Sequence, residues 1–171
     1  MRCALLALAL ATSPALAQDE PERPSFDAAL IDRCLDDAGA AETPDYAACI
    51  GAASGPCMES PGGYSTVGMS WCLNEELGVW DRKLNDSYGR VMAAAKAADA
   101  EMTDLGSAAE KQEPLLKQMQ RDWIAFRDAA CAYERSRWGG GTGGGPASVD
   151  CSLRLTAQQY FRLRAYEPQD G

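Results

Sequence analysis

Between Leu73 and Ala95, apolar residues return at intervals of three or four: Leu73, Leu77, Trp80, Leu84, Tyr88, Val91 and Ala95. Six turns of that rhythm fit an amphipathic α-helix. It is expected to run from about Val67 to about Met102, with Thr66 as its cap. Gly68, Gly78 and Gly89 weaken it by roughly 1 kcal/mol each against alanine. Its alanine-rich end, AAAKAADAEM, has few large side chains to bury and is expected to project beyond the core or fray. A second stripe lies in 118–138, at Met119, Trp123, Phe126, Ala130 and Tyr133. Its face is bordered by Arg127, Asp128 and Cys131, groups a helix does not bury without partners. Two stripes alike in length and chemistry predict two long helices packed antiparallel. Between them, Ser107 to Glu110 matches a capping box and Pro114 interrupts or kinks the chain.

GGGTGGGP, residues 139–146, is too rich in glycine to be helical. Beyond it, Ser148 is the expected N-cap of a helix whose face is Val149, Leu153, Thr156, Tyr160 and Leu163. Ahead of the long helices, Phe26, Leu30 and Cys34 share a face of a short helix that Gly39 ends. Thr43-Pro44 then opens a second short helix carrying Tyr46, Cys49 and Ile50, and GPCMESPGGYS reads as a loop. With no alternating run and no repeat, the class is all-α: a small disulfide-stapled helical bundle with long antiparallel helices.

The first residues, MRCALLALALATSPALAQDE, read as a signal peptide over 1–17. Ala15-Leu16-Ala17 is the cleavage signal, and the apolar run is too short to span a bilayer. The mature chain is expected to start at Gln18 and to reside in the periplasm or outside the cell. Residues 18–25 form a disordered lead-in, 26–64 a disulfide-linked helical hairpin, and 65–171 the main helical domain, packed with the hairpin as one unit. Without Cys3 the chain keeps Cys34, Cys49, Cys57, Cys72, Cys131 and Cys151. An even set in an exported chain predicts three disulfides. A Cys131–Cys151 bridge spans the glycine loop and stabilises by roughly 3 kcal/mol. Cys34–Cys49 suits the hairpin, because both lie at similar depth. Cys57 and Cys72 can close the loop between them, and a crossed pattern with Cys34 and Cys49 stays open.

The chain has no histidine, which removes Ser-His and Cys-His nucleophiles and His-ligated metals. Phosphate-binding, dinucleotide, nucleophile-elbow and EF-hand motifs are missing as well. No cofactor or metal is expected, and catalysis is not. An enzyme working with carboxylates alone, through Glu75, Glu76 and Asp81, is the least favoured alternative. Asp81 is instead expected to pair with Arg127 in a structural polar network with Asn85 and Asp128. The net charge is −9, and residues 18–50 hold nine acids against two bases. That balance disfavours nucleic acid and anionic membranes and suits a basic protein partner. Trp80 and Trp123 read as core, whereas Trp71 and Trp138, at segment ends, are either interface anchors or covers over the bundle.

The segments WCLNEELGVWDRKLNDSY, QRDWIAFRDAAC and CSLRLTAQQYFRLRAY resemble the LprI-like lysozyme inhibitor family. The matching positions are Cys72, Glu76, Asp81, Leu84, Asn85 and Tyr88, then Gln120, Trp123, Phe126, Arg127, Asp128 and Cys131. The glycine loop and Cys151 follow. The resemblance spans roughly 67–167 and leaves 26–57 as an addition. It implies an exported inhibitor of lysozyme-type muramidases that acts by stoichiometric occlusion. Rigid loops lose less entropy on binding, so the expected contacts are Gly62 to Thr66 with Tyr64, and Thr142 in the glycine loop. A cell-envelope interaction module with another protein partner is the alternative.

Overall fold

The computed structural model describes residues 22–168. They form α1 (Ala29–Ala40), a 3₁₀ turn (Tyr46–Cys49), α2 (Ser54–Glu59), α3 (Thr66–Asp104), α4 (Gln112–Ser136) and α5 (Gly144–Arg164). No strand occurs among the described residues, and the fold is an all-α bundle. The expected signal peptide, its cleavage site and the start of the lead-in lie outside the described residues.

Three long helices make the body. α4 runs antiparallel to α3: Lys96 meets Glu113 at one level, and Asp81 and Arg127 line one groove farther along. α5 turns back against α4, with Gln159 Nε2 donating to Gln120 Oε1 at 3.0 Å and Ser148 Oγ donating to the Cys131 carbonyl at 3.2 Å. It therefore lies parallel to α3, meeting it at Trp80–Tyr160, and Glu167, three residues past its end, pairs with Arg90 farther along α3.

The two longest helices do run antiparallel and touch, as expected, but α5 forms the larger interface with α3. Trp80, fully buried, packs against Tyr160 and Phe161 with ring centroids 5.7 and 5.4 Å away. Leu84, Leu153, Ala157 and Leu163 complete that layer. α4 is turned about a quarter of a turn from the face its apolar stripe suggested. Its inward line is Gln120, Trp123, Arg127 and Cys131, while Phe126 and Tyr133 are 60% and 70% exposed. The physical cause is anchoring: Cys131 is bonded to Cys151 and Gln120 to Gln159, so both sides of that line are tied to α5.

Local boundaries also depart from expectation. Ser65, not Thr66, caps α3, accepting the Gly68 N–H at 2.9 Å. α3 stays helical through its alanine-rich end to Asp104. Ser107 to Glu110 is not helical. α4 starts at Gln112 because Asp99 of α3 accepts the N–H groups of Gln112 and Glu113 at 2.7 and 2.9 Å. Pro114 then falls in the first turn, where a missing N–H costs nothing. Gly144 to Pro146 are helical, so α5 begins four residues before the expected cap at Ser148.

In the N-terminal part, Gly39 lies within α1 rather than ending it. No helix starts at Thr43-Pro44; the chain makes only the short 3₁₀ turn there, and α2 forms in what reads as a loop. Ile31 and Leu35 of α1 share one buried cluster with Trp80 and Leu153. The disulfides are Cys34–Cys49, Cys57–Cys72 and Cys131–Cys151, which closes the question of a crossed pattern.

Candidate partner-binding surface

α2 and the loop that joins it to α3 are held from three directions. Cys57–Cys72 ties α2 to the second turn of α3. Gly68 lets the loop cross the helix, since a Cβ there would lie 2.0 Å from the Gly62 carbonyl oxygen. A glycine that costs the helix propensity is thus required by close approach of backbone. Ser25 N–H, from the incoming chain, donates to Ser60 Oγ at 2.9 Å.

The third anchor is Glu76, a side chain with no exposed surface. Its Oε1 accepts from Gly51 N–H at 2.7 Å and from Trp80 Nε1 at 2.9 Å. Its Oε2 accepts from Ala53 N–H at 3.1 Å and Ser54 N–H at 2.6 Å. The carboxylate therefore supplies the N-terminal cap that α2 lacks in its own sequence, and fixes the central tryptophan as well. Four donors occupy it, so it is a structural clamp. Adjacent Glu75 points outward and is exposed, as neighbours on a helix must diverge.

Against this anchored loop lies a cleft of about 1030 Å³ lined by Pro24, Pro61, Tyr64, Val67 and Trp71, with Glu22 and Glu59 among its polar groups. Tyr64 and Val67 are each 79% exposed. Trp71 is half-buried, and Phe26 meets its ring edge-on at 6.4 Å. The glycine loop lies at the same end of the bundle, because α5 starts where α3 does, with Gly145 beside Ser70. Trp138 is 51% exposed and covers Gly143, where a Cβ would fall 2.3 Å from its ring. Thr142 is exposed. All four residues expected at contacts, Tyr64, Trp71, Trp138 and Thr142, thus gather at one end of the bundle.

The anticipated network does not close. Asp81 accepts from Asn85 Nδ2 at 3.0 Å, and both are exposed. Arg127 stacks over Trp123 at 5.0 Å and donates to Asp128 Oδ1 at 2.8 and 3.0 Å. Asp81 and Arg127 share a shallow groove without pairing. The bundle leaves these two pairs at its surface, and the buried polar role belongs to Glu76. Its place one turn before Trp80 was a signal available in the sequence, since a buried indole N–H needs an acceptor. Among the described residues no group of Cys, Asp or Glu is placed to hold a metal ion. None of their helices is long and apolar enough to cross a membrane.

The family model described as "Lysozyme inhibitor LprI" matches residues 57–163, well over half of the chain. The chain belongs to this family. The match begins at Cys57 and covers α3, α4 and nearly all of α5, the bundle that carries the site. An uncharacterized protein of Rhizobium meliloti (strain 1021) is 29% identical over 100 residues, 58% of this chain and 72% of that protein. An uncharacterized 17.7 kDa protein in the puhA 5′ region of Rhodobacter capsulatus is 25% identical over 127 residues, 73% of this chain and 78% of its own. No solved structure matches the chain. The family's shared region includes Glu76, while the N–H groups of Gly51, Ala53 and Ser54 that it clamps lie ahead of the match.

Proposed function

We propose that the chain is an exported protein that binds and inhibits a lysozyme-type muramidase one to one, without catalysis. The family match across the three-helix bundle carries this reading. Three disulfides and the signal-like leader support export. The net charge of −9 favours encounter with a basic enzyme. The contact is the end of the bundle: Tyr64 projects there from a loop already ordered by covalent and hydrogen bonds and Val67 from the first turn of α3, so little entropy is lost on docking.

The test uses purified chain without its leader and a basic muramidase clearing bacterial cell walls. Inhibition that saturates at a one-to-one ratio, with co-elution of a complex at low salt, is the expected outcome. Tyr64→Ala should weaken the complex at least about tenfold, the scale of an interface anchor. Unimpeded clearing at excess chain, with no complex, would overturn the reading for that enzyme.

A further inference from the structure

The apolar line that α4 leaves uncovered has its own geometry. Leu115, Phe126 and Tyr133, with half-buried Met119 between the first two, follow one another at intervals of four and seven, which places them along a single side of the helix. Leu115, Phe126 and Tyr133 are 56%, 60% and 70% exposed. Beside Phe126 the line opens into a groove of about 350 Å³, with Trp123 and Met119 on the α4 wall and Leu155 on the α5 wall. Asp122 and Arg162 stand on opposite walls of that groove, and neither is in an ion pair among the described residues.

We propose that this face is where two copies of the chain pair, α4 against α4, about a two-fold axis near the middle of the line. Such an axis sets Leu115 of each copy toward Tyr133 of the other and brings each Phe126 to the other's groove. Charge selects a second copy over a basic enzyme. Residues 121–171 hold six acids and seven bases, whereas 18–50 hold nine and two. An acidic chain therefore meets its own kind with least repulsion here, and a groove bearing both signs is complementary to itself. From Leu115 to Tyr133 the line is about 27 Å long. Two helix widths across that length cover roughly 500 Å² per copy, about 1,000 Å² in total, which is the scale of a weak, reversible dimer.

Sedimentation velocity on the leaderless chain, from about 1 μM to about 1 mM, reads the pairing. A concentration-dependent shift from monomer to dimer is expected. Phe126→Glu and Tyr133→Glu, each at an exposed position, should weaken pairing at least about tenfold. Ile124→Glu, exposed on another side of α4, should leave it unchanged. Far-UV circular dichroism verifies that each variant is folded. A monomer at every concentration, or pairing indifferent to Phe126→Glu, would overturn the proposal. So would loss of the muramidase complex, rather than of self-association, in Phe126→Glu, since the face would then belong to the enzyme. Failure of the wild-type chain to inhibit any muramidase leaves the sedimentation result standing.

Discussion

Glu76 shows how much one side chain can organise. Its carboxylate ends the search of four donors for a partner, three on the backbone leading into the first residue of α2 and one on Trp80. Glu76→Ala strands all four in a buried site and should cost about 3–5 kcal/mol in chemical denaturation. Glu76→Gln keeps the shape but turns an NH₂ toward donors, so a smaller loss of about 2 kcal/mol is expected. Thr156 is the converse case. It is fully buried, and its hydroxyl has no partner among the described residues. Thr156→Val keeps the volume and removes the stranded hydroxyl, so thermal unfolding should shift upward by a few degrees, about 1 kcal/mol. An unchanged or lowered midpoint would show that the hydroxyl is satisfied.

At the level of elements, α3 and α4 meet through a cap donated across the turn. Asp99 receives the N–H groups of Glu113 and Gln112, which hold its carboxyl below its usual value of 3.8. Glu113 is likewise held below 4.5, chiefly by Lys117, and Glu167 at the far end of α5 by Arg90. A carboxyl lowered in the folded state stabilises the fold above its unfolded pKa. That contribution fades as pH falls through the folded value. The bundle should therefore lose stability as pH drops below about 4, and less steeply in Asp99→Asn than in the wild-type chain. Thermal unfolding midpoints taken at neutral and acid pH test this, and parallel curves for both proteins would contradict it. These groups are half-buried and stay in contact with water, so screening keeps each effect modest.

At the scale of the fold, the three disulfides among the described residues each join segments fifteen or twenty residues apart, and none of them reaches across the length of the chain. They hold the N-terminal part and the loop-bearing end, while the α3–α5 aromatic layer holds the middle. Replacing Cys131 and Cys151 by serine should cost roughly 3 kcal/mol on the chain-entropy account. It should also free α4 to rotate toward burial of Phe126, because the bridge helps fix its inward line. A fall in Phe126 ring accessibility, read by the solvent exposure of a fluorine label on that residue, would accompany the loss. A bridgeless variant with unaltered exposure would assign the rotation to Gln120–Gln159 alone.

Features that depend on neighbours along the chain could be read from the residues alone. Three- and four-residue spacing made α3 legible from Leu73 to Ala95, and local closure made Cys34–Cys49 and Cys131–Cys151 plausible pairs. The family resemblance was legible in the same segments. Packing between elements left Asp81 apart from Arg127, and it set which face of α4 turns inward and where α2 and α4 start. Each of those depends on a partner distant in sequence: Cys151 and Gln159 for the rotation, Glu76 and Asp99 for the starts. A periodic pattern reports that a helix has an apolar side, but a bond from another element sets how far that side is turned, and no spacing within one helix encodes it.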